Sequence, residues 1–547
     1  MLIRRADRSS FTSHKSQLTN QKKISSISMA VTVLAAAAAL LLLVLLWAAV
    51  RAVEWLWWRP WRLERALRAQ GLKGTPYRFL FGDLKESFRA SMEAKRKPIS
   101  SSSSNPHDIV PRVSPFLQRS MEQYGKISFT WFGTTPRVTI TDAELIREVL
   151  ANKFGHFEKP KLSPIVRMLA TGLANYEGEK WAKHRRILNP AFHVEKLKRM
   201  LPAFYTCCSE LIDRWDNLVG PNGSCEIDVW PDLQNFTGDV ISRTAFGSSF
   251  DAGRRIFQLQ AEQAQLIIQS SSFIHIPGYR FLPTSCNRRM KETDREIRGI
   301  LRSIIEKREK AIQNGAAKHE DVLGLLMESN SNEQQGKSSH LRMTTEEVIE
   351  ECKLFYFAGQ ETTSVLLTWT MVVLSMHPSW QVRAREEVLE VFGQNKPDND
   401  GLSRLKIVTM ILYEVLRLYP PVVVLNRRTY KKMELGGITL PEGVSLALPL
   451  IFIHHDPEIW ADAKDFKPER FAEGVSKASK NQVAFFSFSW GPRICIGQTF
   501  AMTEAKMGLS MILQHFSFEL SPSYAHAPYT VITLHPQHGA QLILHKL

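Results

Sequence analysis

The chain has 547 residues, of which 44% are hydrophobic and 23% charged, a composition typical of a globular protein with a large core. Its six cysteines are too few for a disulfide framework, so we expect a reducing compartment. The formal net charge is +16, but the basic residues are spread along the chain without interleaved aromatic residues, which argues against nucleic-acid binding. An anionic membrane surface or an acidic protein partner accounts better for this charge.

The first long apolar segment covers residues 31–50 and carries no charge. About 20 such residues span a bilayer as a helix, so residues 29–50 are predicted to be a transmembrane anchor. A cleaved signal peptide is the alternative, but the segment continues into Trp57, Trp58 and Arg59, where a signal peptide would have a cleavage site with small residues. Tryptophan and arginine at this place are typical of the membrane interface.

The segments on both sides of the anchor are basic, so counting lysines and arginines gives no clear orientation. Residues 1–28 are interpreted as an N-terminal extension. If synthesis starts at Met29, the same rule places everything after the anchor in the cytosol. Residues 51–76 are predicted to be a basic, proline-containing linker, and residues 77–547 a single large domain.

Residues 127–132 and 137–140 are predicted strands with Gly133 and Pro136 between them, which indicates a hairpin at the edge of a small sheet. From about residue 142 to residue 396, apolar residues recur at three- and four-residue spacing, so this part is predicted to be helical.

The longest helical segment, residues 346–376, is apolar on nearly every side and is expected to cross the interior. Ala358 and Gly359 are small enough to let a flat or bulky group lie against it. The hydroxyl of Thr362 can donate to a carbonyl one turn back, and Glu361 places a carboxylate beside it. Packing with a bent backbone is one interpretation; delivery of protons from the acid through the alcohol is the other.

Residues 406–418 form a second predicted helix, which ends at a proline pair. Glu414 and Arg417 lie three residues apart on one face. Such pairs usually lie on solvated surfaces, but this helix is largely apolar. A further helix is predicted over residues 499–515 and a final hairpin from residue 529 to the end. The predicted fold is therefore mainly α with small β-sheets.

Cys495 stands between Gly491 and Gly497, with Arg493 two residues and Phe488 seven residues before it. A thiolate that binds iron needs an open coordination face, N–H groups directed at the sulfur and an apolar wall. The glycines allow a tight turn and a close approach to a flat macrocycle. Phe488 can cover the sulfur, and Arg493 can reach an acidic edge of a cofactor. A lone cysteine is otherwise a buried, inert residue.

The whole string Phe-x-x-Gly-x-Arg-x-Cys-x-Gly resembles the haem-binding loop of the cytochrome P450 family, whose iron ligand is a cysteine thiolate. The resemblance covers nearly everything after Met29 and keeps the family's order of motifs. It implies the cytochrome P450 fold after one transmembrane helix, haem b as cofactor, and Cys495 as the ligand of the iron. The domain at 77–547 would then be a haem-thiolate catalytic domain.

The resemblance also implies roles for polar residues outside the cysteine loop. Glu361 and Thr362 match the family's oxygen-activation motif. Trp181 and Arg185 match a helix that donates to a haem propionate, although a basic amphipathic helix has the same pattern. A further propionate contact is assigned to Arg427, chosen over its neighbour.

Three charged residues match a structural element of the same family. Glu414 and Arg417 resemble its Glu-x-x-Arg helix, and Arg470 lies in a segment that resembles its Pro-Glu-Arg-Phe motif. The resemblance implies that these three side chains interlock behind the haem.

Residues 65–72, 281–284 and 487–492 are similar to the plant group that includes secologanin synthase. That group oxidises terpenoid, steroid-like and hormone-type molecules, and some members act on herbicides. The implied function is membrane-anchored monooxygenation, in which one oxygen atom of O₂ enters a hydrophobic small molecule. Predicted pocket walls are Leu354, Phe355, Ala358, the valines 422–424 and the turn at residues 531–532.

The chain has no motif for binding a dinucleotide, so we expect an external electron donor, an NADPH-dependent flavoprotein reductase. Its acidic face would meet Lys180, Lys183 and Arg186. The implied location is the endoplasmic reticulum membrane, with the catalytic domain facing the cytosol. Two alternatives remain open, a haem-thiolate isomerase or dehydratase and a non-enzymatic, membrane-anchored haem sensor.

Overall fold

The structure is a computed structural model that describes residues 6–99, 105–152, 155–247, 250–271, 273, 276–314, 321–331, 343–481 and 483–547. The chain divides into two compact units, Met1–Arg65 and Ala66–Leu547.

The N-terminal unit contains one long helix, α1 (Ala6–Val53), followed by a π-helical turn at Glu54–Trp58. The helical segment Ser25–Ala69 includes an 18-residue window with a mean hydropathy of 2.8 and no buried residue, which is long and apolar enough to cross a membrane. The single N-terminal apolar helix of the prediction is therefore present. Because α1 runs through Met29 without a break, the boundary at residue 28 stays a prediction; residues 1–5 lie outside the described chain.

Helices make up most of the rest of the described chain. Their bounds are α2 (Arg59–Ala69), α3 (Leu84–Lys95), α4 (Val110–Val113), α5 (Pro115–Tyr124), α6 (Ala143–Ala151), α7 (Gly178–Leu188), α8 (Val194–Val219), α9 (Val229–Phe246), α10 (Phe250–Gln269), α11 (Ser285–Gln313), α12 (Val322–Ser331), α13 (Thr345–Met376), α14 (Pro378–Phe392), α15 (Asn399–Arg404), α16 (Ile407–Leu418), α17 (Leu450–His454) and α18 (Gln498–His515).

The strands are short and belong to four small sheets. Their bounds are β1 (Lys73–Gly74), β2 (Ile127–Phe132), β3 (Thr135–Ile140), β4 (Phe157–Glu158), β5 (Ser224–Asp228), β6 (Leu425–Thr429), β7 (Met433–Leu435), β8 (Ile438–Leu440), β9 (Ser445–Leu448), β10 (Phe516–Leu520), β11 (Pro528–Thr530), β12 (Leu534–Pro536) and β13 (Gln541–Lys546). The largest sheet has the order β1-β2-β3-β9-β6-β4, and the next β10-β13-β5. The predicted class, mainly α with small β-sheets, is confirmed.

Helix α13 crosses the interior, as its sequence predicts. It begins with a capping box in which Thr344 and Glu347 satisfy each other's backbone N–H groups. Its second half is buried on all sides and packs against α9, α16 and α18. In the first half of α13, Lys353 is fully buried, and its Nζ lies 2.7 Å from Oδ1 of Asp294.

The predicted hairpin is β2–β3, but it does not lie at a sheet edge. β2 pairs with β1 on its outer side, and β3 pairs in parallel with β9 over Arg137–Thr139. Pro136 lies inside β3 opposite Trp131, where the prediction placed it in the turn. The ladder with β9 begins only after Pro136, so its missing N–H leaves no bond unmade.

The C-terminal segment is also different from its prediction as one hairpin. β11 and β12 form a two-stranded hairpin, whereas β13 pairs with β10 and β5 in another sheet. Alternating burial along β13 fits a strand with one face on the core.

Candidate active site

Cys495 lies in the loop that leads into α18 and faces an internal cavity of about 250 Å³. Its backbone N–H donates to the carbonyl of Phe488 at 2.9 Å, which closes the loop. Burial raises the pKa of the Cys495 thiol, while the backbone N–H of Gly497 and the guanidinium of Arg185 lower it. The net shift of the pKa is upward, and the Gly497 N–H and Arg185 are the two groups that favour the thiolate.

The two glycines of this loop, Gly491 and Gly497, have different backbone conformations and different surroundings. Gly491 has φ of +70°, and a Cβ there would lie 2.6 Å from the carbonyl oxygen of Leu150 at the end of α6. Gly497 has φ of −90°, and a Cβ there would meet no atom closer than 4.0 Å. At Gly491 the glycine is required by the backbone of α6, whereas at Gly497 the predicted close approach to a flat macrocycle stays a prediction.

The walls of the cavity around Cys495, here called the thiolate cavity, are almost entirely apolar. Three of the predicted wall residues line it, namely Phe355, Ala358 and Val422. The other predicted walls do not. Leu354, Val423 and Val424 pack into the core, and Val531 and Ile532 line a different cavity. Leu354 follows a different face of α13 because neighbours on a helix point about 100° apart.

Thr362 and Glu361 are adjacent in sequence but face different spaces. Thr362 lines the thiolate cavity, and its Oγ1 donates to the carbonyl of Ala358 at 2.8 Å, the bond predicted from the sequence. The carboxylate of Glu361 instead accepts from Oγ1 of Thr533 at 2.6 Å and contacts Nε2 of His535. Sequence reasoning missed both partners, which lie more than 170 residues away.

Gly359 is also small because of the packing between two helices. A Cβ there would lie 2.7 Å from Cγ1 of Ile241 in α9. The close approach of α9 and α13 therefore favours a glycine, and both residues of the predicted small pair, Ala358 and Gly359, line the thiolate cavity.

Arg493 lies beneath the cavity, beside the start of α7. Its Nη2 donates to the carbonyl of Tyr176 at 2.6 Å and to the carboxylate of Glu177. Its guanidinium carbon lies 4.2 Å from the ring centre of Trp181. The structure thus brings Arg493 and Trp181 together, as two predicted site residues.

Arg427 is 3% exposed and lies close to Arg493, whereas Arg428 points toward Glu158 in β4. Burial first, and then repulsion from Arg493, lowers the pKa of Arg427 to about 10. Arg427 therefore lies in the cluster with Arg493, and its predicted contact with a propionate stays a prediction.

Lys159 joins the same cluster and was missed from the sequence, where nothing distinguishes it from other surface lysines. Burial lowers its pKa to about 7, with further lowering by Arg427 and Arg493, while Glu177 opposes the shift. Arg185 is a neighbour of Arg493, and its Nη1 donates to the carbonyl of Ile494 at 2.9 Å.

These cations test whether haem fits. When Lys159 is protonated, Lys159, Arg427 and Arg493 face one carboxylate, Glu177, and the cluster has two positive charges in excess. Two propionates of one haem b would neutralise them and restore the charge of Lys159. A cysteine facing an apolar cavity beside this cluster supplies the thiolate. The residues present fit the group.

Glu414, Arg417 and Arg470 interlock in the structure. Oε1 and Oε2 of Glu414 accept from Nη2 and Nε of Arg417 at 2.7 and 2.8 Å, and both side chains are fully buried. Nε of Arg470 donates to the same carboxylate at 3.1 Å. Arg417 also donates to the carbonyls of His454 and Ala463, each at 2.6 Å. One buried carboxylate thus holds two guanidiniums that tie α16 to the chain before the cysteine loop.

Residues 112–539 match the model of the cytochrome P450 family. The chain is 68% identical to cytochrome P450 CYP72A616 of Paris polyphylla over 94% of this chain and 99% of that protein. It is 56% identical to cytochrome P450 72A15 of Arabidopsis thaliana, over 95% of this chain and 100% of the relative. It is also 55% identical to 11-oxo-beta-amyrin 30-oxidase of Glycyrrhiza uralensis, over 90% and 95%.

These relatives are plant proteins of one P450 group, which confirms both the family and the plant group predicted from the sequence. With a cysteine facing an apolar cavity and a matching cationic cluster, the chain belongs to the cytochrome P450 family and is a haem b-dependent monooxygenase of its plant CYP72 group.

Proposed function

We propose that this monooxygenase oxidises a hydrophobic terpenoid-type small molecule at a C–H bond, is anchored in the endoplasmic reticulum membrane with its catalytic domain toward the cytosol, and receives electrons from an NADPH-dependent flavoprotein reductase. The observation that carries the proposal is the apolar cavity between Cys495 and α13, next to a cluster whose excess charge matches a haem. When bound, the haem supplies the oxygen-activating chemistry.

The chain's own part begins with holding the cofactor. Cys495 would be the iron ligand, and Phe488 and Ile496 would shield the sulfur from water, since both line the cavity around it. Lys159, Arg427 and Arg493 would hold the propionates. Trp181 would fix Arg493 by stacking, and Arg185 would hold the loop through the carbonyl of Ile494.

Protons must reach a cavity that is otherwise apolar. Thr362 and Thr363 of α13 both line the cavity, and the Thr362 hydroxyl donates its proton to the carbonyl of Ala358 at rest. Glu361 is the adjacent acid. Thr362 can therefore donate a proton on the side of the cavity, and Glu361 can replace that proton from the other side of the helix.

The substrate class follows from the walls. Phe192, Ile241, Phe355, Leu366 and Val422 line the thiolate cavity, so a polar substrate would lose its hydration there without compensation. The Glycyrrhiza relative is named 11-oxo-beta-amyrin 30-oxidase. This supports a terpenoid substrate for the present chain.

Reductase docking is proposed at α7, which carries the exposed Arg186 and the half-buried Lys183. Lys180 was also predicted there, but its Nζ lies 2.7 Å from Oε1 of Glu347, so its charge is already paired within the chain. Surface electrostatic docking weakens with salt. We expect the rate of electron transfer from the reductase to fall as ionic strength rises, and a salt-independent rate would contradict this docking mode.

The first experiment compares the wild-type protein with Cys495→Ser. Reduced wild-type protein treated with carbon monoxide should show the Soret signature of thiolate ligation, which the variant should lack. Cys225→Ser is the matched control, since Cys225 is also a free thiol but lies in β5. A folded wild-type protein without that signature would overturn the haem-thiolate assignment.

The second experiment adds reductase and NADPH and screens terpenoids. Oxygen-dependent, substrate-stimulated NADPH consumption with formation of a hydroxylated product supports the proposal. An isomerase or dehydratase would convert its substrate without oxygen or NADPH, and a haem sensor would consume neither. Product formation under argon would therefore contradict the monooxygenase function.

A further inference from the structure

A second cavity, of about 450 Å³, lies on the other side of α13 from the thiolate cavity, and both polar and apolar side chains line it. We call it the polar cavity. Its polar side chains from α9 and α10 are Gln234, Asn235, Arg254, Gln258, Gln260 and Gln265. Oε1 of Gln260 is buried and has no hydrogen-bond partner in the described part of the chain.

An unpaired buried amide oxygen in a roomy, polar space calls for water. A water molecule takes about 30 Å³ in the liquid, so the polar cavity has room for on the order of ten. Water in this space would reach the part of α13 that carries Glu361, since Gln360 and Glu361 also line it.

Glu361 is held on this side by the β11–β12 hairpin. Its Oε1 accepts from Oγ1 of Thr533 at 2.6 Å and contacts Nε2 of His535. Burial raises the pKa of Glu361, but the hydrogen bonds from His535 and Thr533 outweigh it, so the pKa lies below its usual value. The carboxylate is therefore ionised and turned away from Thr362.

The contacts also fix which nitrogen of His535 carries the proton. An ionised carboxylate can only accept, so the imidazole must present Nε2–H to Glu361. The same Nε2 lies 2.9 Å from Oγ1 of Thr533, whose own proton goes to Glu361. A single N–H is thus shared between two oxygens, and the bond to Glu361 is charge-assisted.

Among the described residues, the charged or titratable side chains that line the polar cavity are Arg254 of α10, Glu361 of α13 and His535 of β12. The ring of His535 packs against Trp230 of α9 and Tyr529 of β11, with centroids 5.0 and 6.0 Å apart. The position of the carboxylate is therefore set mainly by the hairpin.

We propose that the polar cavity is a water reservoir that supplies protons to Glu361, and that His535 is the positioning residue that holds the Glu361 carboxylate in contact with that water until it is protonated. This inference rests on the proposed monooxygenase function and adds to it a proton entry side and a residue that controls it.

The step itself is a simple proton transfer. A hydronium ion in the polar cavity gives one proton to Glu361; an O–H bond of hydronium breaks, an O–H bond on the carboxyl group forms, and water remains. No electron changes place. Once neutral, Glu361 loses the charge assistance of its bond to His535. The freed carboxylic acid can then turn toward Thr362, which is the next residue on α13.

The test compares His535→Ala and His535→Gln in the full chain with reductase. His535→Ala removes the donor, so the fraction of NADPH electrons that ends in product should fall roughly ten-fold, with peroxide released instead. His535→Gln keeps an N–H at a similar reach and should restore most of the product, because the role is positioning. His538→Gln is the matched control, since His538 is an exposed histidine three residues away.

A second measurement does not depend on activity. The thermal midpoints of His535→Ala, Glu361→Gln and the double variant are compared across pH. If the two side chains act as one unit, the double variant should lose no more than the larger single loss. Additive losses would show that the contact is not coupled and would overturn the inference.

The outcomes separate this inference from the proposed function. If wild type shows the thiolate Soret signature and oxygen-dependent turnover, and His535→Ala keeps the same ratio of product to peroxide, the role of His535 is refuted while the monooxygenase stands. If His535→Gln is as defective as His535→Ala, the imidazole acts other than by positioning, and the proposal is also refuted.

Discussion

Removing Arg417 should cost the protein its haem, because this guanidinium donates to the buried Glu414 carboxylate and to several backbone carbonyls at once. Arg417 is fully buried, gives two bonds to Glu414, and donates to three backbone carbonyls, those of His454, Ala463 and Asp465. In Arg417→Ala the carboxylate of Glu414 keeps only Arg470 and the N–H of Lys467.

The magnitude follows from this geometry. Breaking a buried ion pair by removing one partner costs about 3–5 kcal/mol. A domain is stable by only about 5–15 kcal/mol, so Arg417→Ala removes a large part of the free energy of unfolding. Arg470→Ala leaves the two Arg417 bonds to Glu414 intact and should cost only about 1–3 kcal/mol.

The assay is haem content per folded protein, from the carbon monoxide spectrum, together with the free energy of unfolding in urea. We expect Arg417→Ala and Glu414→Ala to be haem-free and Arg470→Ala to keep part of its haem. Lys477→Ala breaks an exposed pair with Glu473 and, as the matched control, should cost about 0–0.5 kcal/mol. Normal haem content in Arg417→Ala, with a stability loss no greater than the control's, would refute the reasoning.

Three further outcomes are expected. Burial lowers the pKa of His455 to about 3 and that of His526 to about 4, both below the 6.5 of an unfolded chain. The free energy of unfolding in urea should therefore have its highest value above about pH 6.5 and be lower by about 2 kcal/mol per histidine at pH 5, where only the unfolded chain binds these protons. Equal free energies at the two pH values would contradict this. Gly491→Ala should lose haem, because its Cβ would collide with α6, whereas Gly299→Ala in α11, where a Cβ would meet no atom within 4 Å, should keep it; equal haem content would show that the collision is relieved. Lys159→Met should release haem to apomyoglobin several-fold faster than wild type, with the exposed Lys161→Met as control, and unchanged release would remove Lys159 from the propionate cluster.

The cysteine loop and the Glu414–Arg417 pair could be predicted because their residues are close in sequence and of unusual type. Two residues that lie three positions apart on a helix are neighbours on its surface, whatever the fold of the rest of the chain. The same holds for the bond from Thr362 to Ala358, which is set by helix geometry alone.

Contacts between distant segments could not be predicted in this way. Lys159 reaches the cluster of Arg427 and Arg493 because β4 pairs with β6, and no sequence pattern around Lys159 predicts that strand pairing. The partner of β3 is β9, some 300 residues later, which is why the hairpin was wrongly placed at an edge. Val531 and Ile532 were assigned to the thiolate cavity on apolar character, a property that both cavities and the core share.

The placement of Glu361 explains why an acid beside the thiolate cavity does not compromise that cavity. An ionised carboxylate facing an apolar space would be strongly unfavourable, and burial alone would keep it neutral. On a helix, successive side chains diverge by about 100°, so Glu361 faces the polar side while Thr362 faces the apolar one. The helix itself therefore separates water from the substrate space, and a proton crosses that boundary only on a side chain that changes sides. A site built in this way limits water near Cys495 without giving up its supply of protons.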